Sequence, residues 1–147
     1  MATSIYDARA RDALLRRLDA LRPDMQPRWG RMSAPQMVTH LLEAYRMPSG
    51  DLRIRRMKMP FRALVRWPML YVLPFPKGAP TAPQLLARVP ATWATDIAAL
   101  RAAMSAATRP APGAPLGDHP LFGAMTADDW GVLLHKHTDH HFRQFGI

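Results

Sequence analysis

Thr126-Ala127-Asp128-Asp129-Trp130-Gly131-Val132-Leu133-Leu134-His135-Lys136-His137-Thr138-Asp139-His140-His141-Phe142-Arg143-Gln144-Phe145 is one helix written out in residues. Thr126 followed three residues later by Asp129 is a helix-start signature, because the two side chains can satisfy amides that have no partner in the first turn. From there Trp130, Leu134, His137, His141 and Phe145 recur at spacings of four, three, four and four, the period of one helical face. A face so apolar belongs against other helices. It nevertheless carries two histidines, in a stretch that holds four of the six in the chain.

Histidine is the commonest side-chain metal ligand, and two of them four apart on a helix can reach one ion. His137 and His141 meet that spacing. His140, three residues from His137, is an open substitute, whereas His135 points away from the stripe and is expected in solvent. The zincin motif is absent, since Thr138 stands where HExxH carries its glutamate. Taken alone, an HxxxH pair is as readily a solvated helix end that complements the dipole.

Working back along the chain, a second capping box at Ser33-Ala34-Pro35-Gln36 opens a helix that should run to about Met47. On its core-facing stripe, among Met37, Leu41 and Ala44, sits His40. A lone core histidine is usually only hydrogen-bonded, yet helix bundles also build metal sites from facing helices in this way. An N-terminal helix is expected over about 5–21, from the spacing of Leu14, Leu15, Leu18 and Leu21. Another is expected over about 91–107, with Trp93, Ile97, Leu100 and Met104 on one stripe. A short or kinked helix should lie near 60–72 and a short turn at 81–84. Proline-rich loops at 74–80 and 109–117 cannot continue the helices they follow. No segment alternates as a strand does. The pattern predicts an all-α, single-domain protein over 1–147, a four-helix bundle with proline-rich crossover loops.

Composition narrows the chemistry. With no cysteine, disulfides, thiolate ligands and a cysteine nucleophile are excluded, so a metal would be held by nitrogen and oxygen. Met1-Ala2-Thr3-Ser4-Ile5-Tyr6-Asp7 has no basic start followed by an apolar run, so no signal peptide is expected. The most apolar region, Met57 to Phe75, is interrupted by Lys58, Arg62 and Arg66 and by Pro60, Pro68 and Pro74, so no transmembrane segment is expected. A cytoplasmic protein is expected. The formal charge of +9, carried mostly by arginine, would attract an anionic partner, though scattered arginine is also what a biased genome composition produces.

The order of the motifs resembles the DinB-like (YfiT-like) superfamily of proposed metalloenzymes, four-helix bundles with one histidine on the second helix and HxxxH followed by glutamine on the last. His40 matches the first position, His137 and His141 the pair, and Gln144 the glutamine. Trp29-Gly30-Arg31-Met32-Ser33, Gln36 to Leu41, Pro76 to Pro83, His119-Pro120-Leu121-Phe122-Gly123 and His137 to Gly146 further resemble an uncharacterised branch with a C-terminal HHxRQFG-type motif.

The resemblance implies a divalent metal, zinc or nickel first and iron as an alternative, on His40, His137 and His141. A water or substrate atom would complete its shell. Glu43, Asp139 and Gln144 are candidates to orient the ligands or accept a proton, and Arg55 and His119 are weak candidates to contact substrate. A metal-dependent enzyme follows as the first expectation, a transferase using a low-molecular-weight thiol or a hydrolase. The substrate and the reaction, and whether the chain is an enzyme at all, stay open. The alternative is a non-catalytic basic protein that binds a membrane surface or nucleic acid, with Arg55, Arg62 and Arg66 opposite Phe61, Leu64 and Val65. No nucleic-acid-binding motif supports specific nucleic-acid recognition. A homodimer through the Met57–Phe75 face is a further expectation.

Overall fold

Ser33 and Thr126 start their helices as expected. Each side chain accepts from the backbone amide three residues on, and Gln36 and Asp129 reach back to the cap amides. The computed structural model describes residues 2–52, 54–55, 58, 61–79 and 81–147. Among these it is all-helical: α1 Ala8–Leu18, α2 Ala34–Tyr45, α3 Arg62–Tyr71, α4 Trp93–Ser105 and α5 Ala127–Phe145, with a 3-10 turn at Pro83–Leu85 before α4. The His119–Gly123 backbone pairing is an isolated bridge, and no strand forms among the described residues.

Two helices are shorter than their apolar spacing suggests, because local side chains and tighter turns take over their ends. α1 stops at Leu18, and the amides of Ala20 and Leu21 turn back to carbonyls three residues earlier. Ile5 and Leu21 are still buried, so the stripe outlasts the helix. α4 begins only at Trp93, since Thr92 caps it and the buried Asp96 carboxylate accepts the Ala91 amide at 2.8 Å.

α3 begins and ends differently. Its cap residue Phe61 has φ 56° and offers no side-chain hydrogen bond, and Pro68 deprives the helix of one amide. Its free C-terminal carbonyls are taken by a lysine on another helix. Lys136 Nζ donates to the carbonyls of Met69 at 2.6 Å and Leu70 at 3.1 Å, and to that of Leu73. Tyr71 adds a 2.6 Å bond from its hydroxyl to Asp129. α3 is thereby fastened along α5.

α1, α2, α4 and α5 close a ring in which α1 and α2 each touch both α4 and α5. Leu14, Leu18, Met37, Leu41, Leu100, Met104 and Phe142 fill its interior. A second apolar cluster, with Met47, Leu70, Leu85, Phe122 and Trp130, joins α3 and the loops to one end of the ring. His40, at 2% exposure, lies on α2 between residues of the first cluster and residues of the second.

Of the basic stretch from Arg53 to Lys58, only Ile54, Arg55 and Lys58 are described, and the latter two are exposed. Met57, Pro60 and Pro80 and the Arg62 side chain lie outside the described residues, so the expected Arg55–Arg62–Arg66 face does too.

Candidate metal centre

α2 and α5 bring three imidazoles together. His40 Nε2 lies 2.9 Å from His137 Nε2, and His141 Nε2 lies 3.0 Å from the same atom. The potential ligand atoms of the three residues all fall within 4.8 Å of one another. Two nitrogens bound to one tetrahedral zinc stand about 3.3 Å apart, so the spacings around His137 are a few tenths of an ångström shorter than shared coordination sets.

The tautomers follow from the outer partners. His40 Nδ1 lies 3.3 Å from the Leu85 carbonyl, which can only accept, so His40 donates from Nδ1 and leaves Nε2 as a lone pair. His141 Nδ1 lies 2.7 Å from Gln144 Oε1, and Gln144 Nε2 donates to the Trp29 carbonyl at 2.7 Å. That second bond orients the amide, so His141 also donates from Nδ1 and aims a lone pair inward. His137 Nε2 therefore meets two lone pairs with at most one proton of its own. A cation among the three nitrogens removes the conflict, and the donor set fits a borderline metal.

Electrostatics favour the neutral, ligating forms. Burial lowers the pKa of His40 to about 4. Burial, then the neighbouring His40, lowers that of His141 to about 3. His137 is pushed well below the usual imidazole value by burial and by the other histidines. Proton competition for these lone pairs is weak near neutrality.

The three imidazoles open into a cavity of about 310 Å³. Met32, Met69, Phe75, Leu121 and Phe122 make much of its wall apolar. Residues 7–146 match the family described as protein of unknown function (DUF1569). The chain belongs to the DUF1569 family. No curated protein and no solved structure matches it.

Around this centre the DUF1569 chain distributes its other candidates unevenly. His140 lines the cavity and packs edge-on against Trp29, Phe75 and His141. His119 also lines it, buried and stacked on Phe122 at 4.7 Å. Its Nδ1 accepts the amides of Leu121 and Phe122, each at 3.2 Å, which places the proton on Nε2. Burial alone lowers its pKa to about 4. Gln144 is the outer partner of His141 just described.

Glu43 and Asp139 are placed elsewhere. Glu43 is buried and pairs with Arg46 at 2.9 Å and Arg88 at 3.1 Å. Asp139 pairs with Arg17 at 2.7 Å and Arg143 at 3.0 Å. Neither carboxylate bonds a histidine of the cluster. Arg55 is exposed and does not line the cavity. His135, expected in solvent, is half covered, and that burial lowers its pKa.

Some contributors carry no signal in side-chain spacing. The Leu85 and Trp29 carbonyls act through backbone and become visible only when loops dock on helices. Gly30 is a partial exception, lying within the quoted Trp29–Ser33 motif. At φ +79° it would set a Cβ 2.9 Å from Gln144 Nε2, so a side chain there would collide with the amide that holds His141. Trp29 Nε1 is buried with no hydrogen-bond partner among the described residues.

Proposed function

We propose that the chain is a metal-dependent enzyme of the DinB-like superfamily, with a divalent ion, zinc or nickel, held by His40, His137 and His141. The observation that carries this reading is the meeting of three Nε2 atoms, on the buried His40 and His141 and the half-buried His137, with too few protons to satisfy their contacts. An unsatisfied buried polar group costs about 1–3 kcal/mol, so such a cluster is expensive to keep without an ion.

When bound, the ion would supply Lewis acidity and lower the pKa of a small thiol or a water, which suits a thiol-dependent transferase or a hydrolase. The chain's own groups do the rest. The Leu85 carbonyl and Gln144 keep His40 and His141 in their ligating tautomers. The apolar wall excludes water from a small organic substrate. His119, with Nδ1 occupied by two amides, turns its Nε2–H into a neutral donor for a carbonyl or anionic oxygen.

Elemental analysis of untagged protein beside His137→Ala tests the proposal. Near-stoichiometric zinc or nickel in the parent and loss in the variant is the expected result, followed by chelator-sensitive thiol transfer or hydrolysis. Absence of metal from both, even after incubation with either ion, would remove the metalloenzyme reading.

A further inference from the structure

The wall of the histidine cavity carries cations and hydrogen-bond donors but no anion of its own. Among the described residues that line it there is no aspartate and no glutamate. Arg31 does line it and is exposed, which puts its guanidinium at the mouth. That side chain makes no hydrogen bond or ion pair among the described residues. Lys77 stands between Pro76 and Gly78, which also line the cavity, and its ammonium lies 4.6 Å from the centre of the Trp29 ring. It too has no carboxylate partner among the described residues. The carboxylates nearest in sequence to the cluster, Glu43 and Asp139, are each held by two other arginines and do not line the cavity. Neither balances Arg31 or Lys77.

The donors of the wall are unanswered in the same way. His119 accepts two amides at Nδ1, and its Nε2–H has no partner among the described residues. Trp29, a lining residue, keeps a buried indole N–H with no acceptor. Donors left so beside a cavity call for an acceptor brought by a ligand. Ring contacts connect the cations to the histidine centre over a short path. His140 packs on His141 at 5.3 Å and on Trp29 at 5.5 Å, and Trp29 is the ring under Lys77. Phe75 lies 5.9 Å from both His137 and His140, so the space between mouth and centre is bounded by an apolar ring.

We propose that the cavity takes a small organic anion, with a carboxylate or phosphate at the mouth on Arg31 and Lys77 and an apolar body against Met32, Phe75 and Leu121. Its opposite end reaches His119 and the three-histidine centre. This rests on the reading of the cavity as a substrate site and adds the charge of the substrate and the residues that read it. An arginine fork and a lysine ammonium both form charge-assisted hydrogen bonds with such oxygens. A cationic ligand would meet Arg31 and Lys77 as like charges, and a neutral one would leave both unpaired. The apolar wall between the two polar ends selects a body that is not itself charged.

Calorimetric titration of the full, untagged chain with 3-phenylpropanoate, 2-phenylethyl phosphate and uncharged 3-phenylpropanamide tests the proposal. Each titration is run on protein as purified and after chelator treatment. At least one anion should bind at least about tenfold more tightly than the amide in both forms, and the tighter of the two identifies the anionic group. The double variant Arg31→Gln/Lys77→Gln, made at exposed positions, should melt like the parent, keep its zinc content and lose that preference. The amide bound as tightly as both anions, or no binding of any of the three, would overturn the proposal. A preference that survives in the double variant but disappears with the metal would give the anion to the ion, overturning the mouth site and leaving the metal reading intact. A preference erased by the double variant in protein that takes up neither zinc nor nickel would keep the anion site and remove the metal.

Discussion

His141 and Gln144, one turn apart on α5, share a 2.7 Å hydrogen bond in which the imidazole Nδ1–H donates to the amide oxygen. The amide nitrogen is itself held by the Trp29 carbonyl, so neither ring nor amide can turn without breaking a buried contact. The orientation of a candidate ligand on α5 thus depends on a backbone atom in the loop before α2. Gly30 makes the approach sterically allowed.

Gln144→Leu should therefore weaken zinc binding by about 10- to 100-fold, the usual penalty for removing the outer partner of a metal-ligating histidine. Chelator-competition titration measures it, with circular dichroism to confirm an unchanged helix content. Unaltered affinity would mean that the His141 tautomer is held by packing alone.

Acid should destabilise the metal-free protein in a defined window. His40 and His119 titrate near 4 in the folded state, and His141 near 3, against about 6.5 when unfolded. Between those values the unfolded chain binds more protons, so stability falls as pH is lowered. The contribution is fully present above about 6.5 and should be lost from there down to about 4 for His40 and His119, and to about 3 for His141. Urea unfolding across this range checks it, and a replacement of His119 by Asn should flatten part of the slope. A stability curve that stays level from pH 6.5 to 4 would contradict the burial described here.

Glu43 and Asp139 are expected to act on stability far more than on metal. Glu43 is buried and bridges Arg46 on the end of α2 to Arg88 just beyond the 3-10 turn whose Leu85 carbonyl receives His40. Because both arginines are 40–46% exposed, Glu43→Gln should cost only about 1–2 kcal/mol. Asp139, itself 28% exposed against 5% for Glu43, should cost less than about 1 kcal/mol on change to Asn. Thermal denaturation and zinc titration of the two variants separate these effects. Loss of zinc binding in Asp139→Asn with stability intact would return that carboxylate to the site.

The histidines were readable from residues because helical period is a local property. His137 and His141 fall on one stripe by spacing, and His40 falls among core residues by the same rule. The capping boxes at Ser33 and Thr126 were legible for a similar reason, since a cap and its partner lie three residues apart. The ends of α1 and α4 were not, because apolar spacing continues through turns that no longer hold a helical ladder. The arginine partners of Glu43 and Asp139 were not legible either, as proximity along a helix does not say which arginine will reach a carboxylate.

By itself the sequence determined an all-helical chain, the capped starts of α2 and α5, the absence of thiol ligands and the helix stripes that carry His40, His137 and His141. These depend on contacts within about one helical turn, which every residue carries with it. Tertiary structure alone decided that His40 and His137 meet at 2.9 Å, that Leu85 and Trp29 supply the carbonyls behind the imidazole network, and that Leu64 and Trp67 stay uncovered. Those outcomes join residues far apart in the chain. They are set by which apolar faces pack together, a choice made by the whole core and not by any one segment.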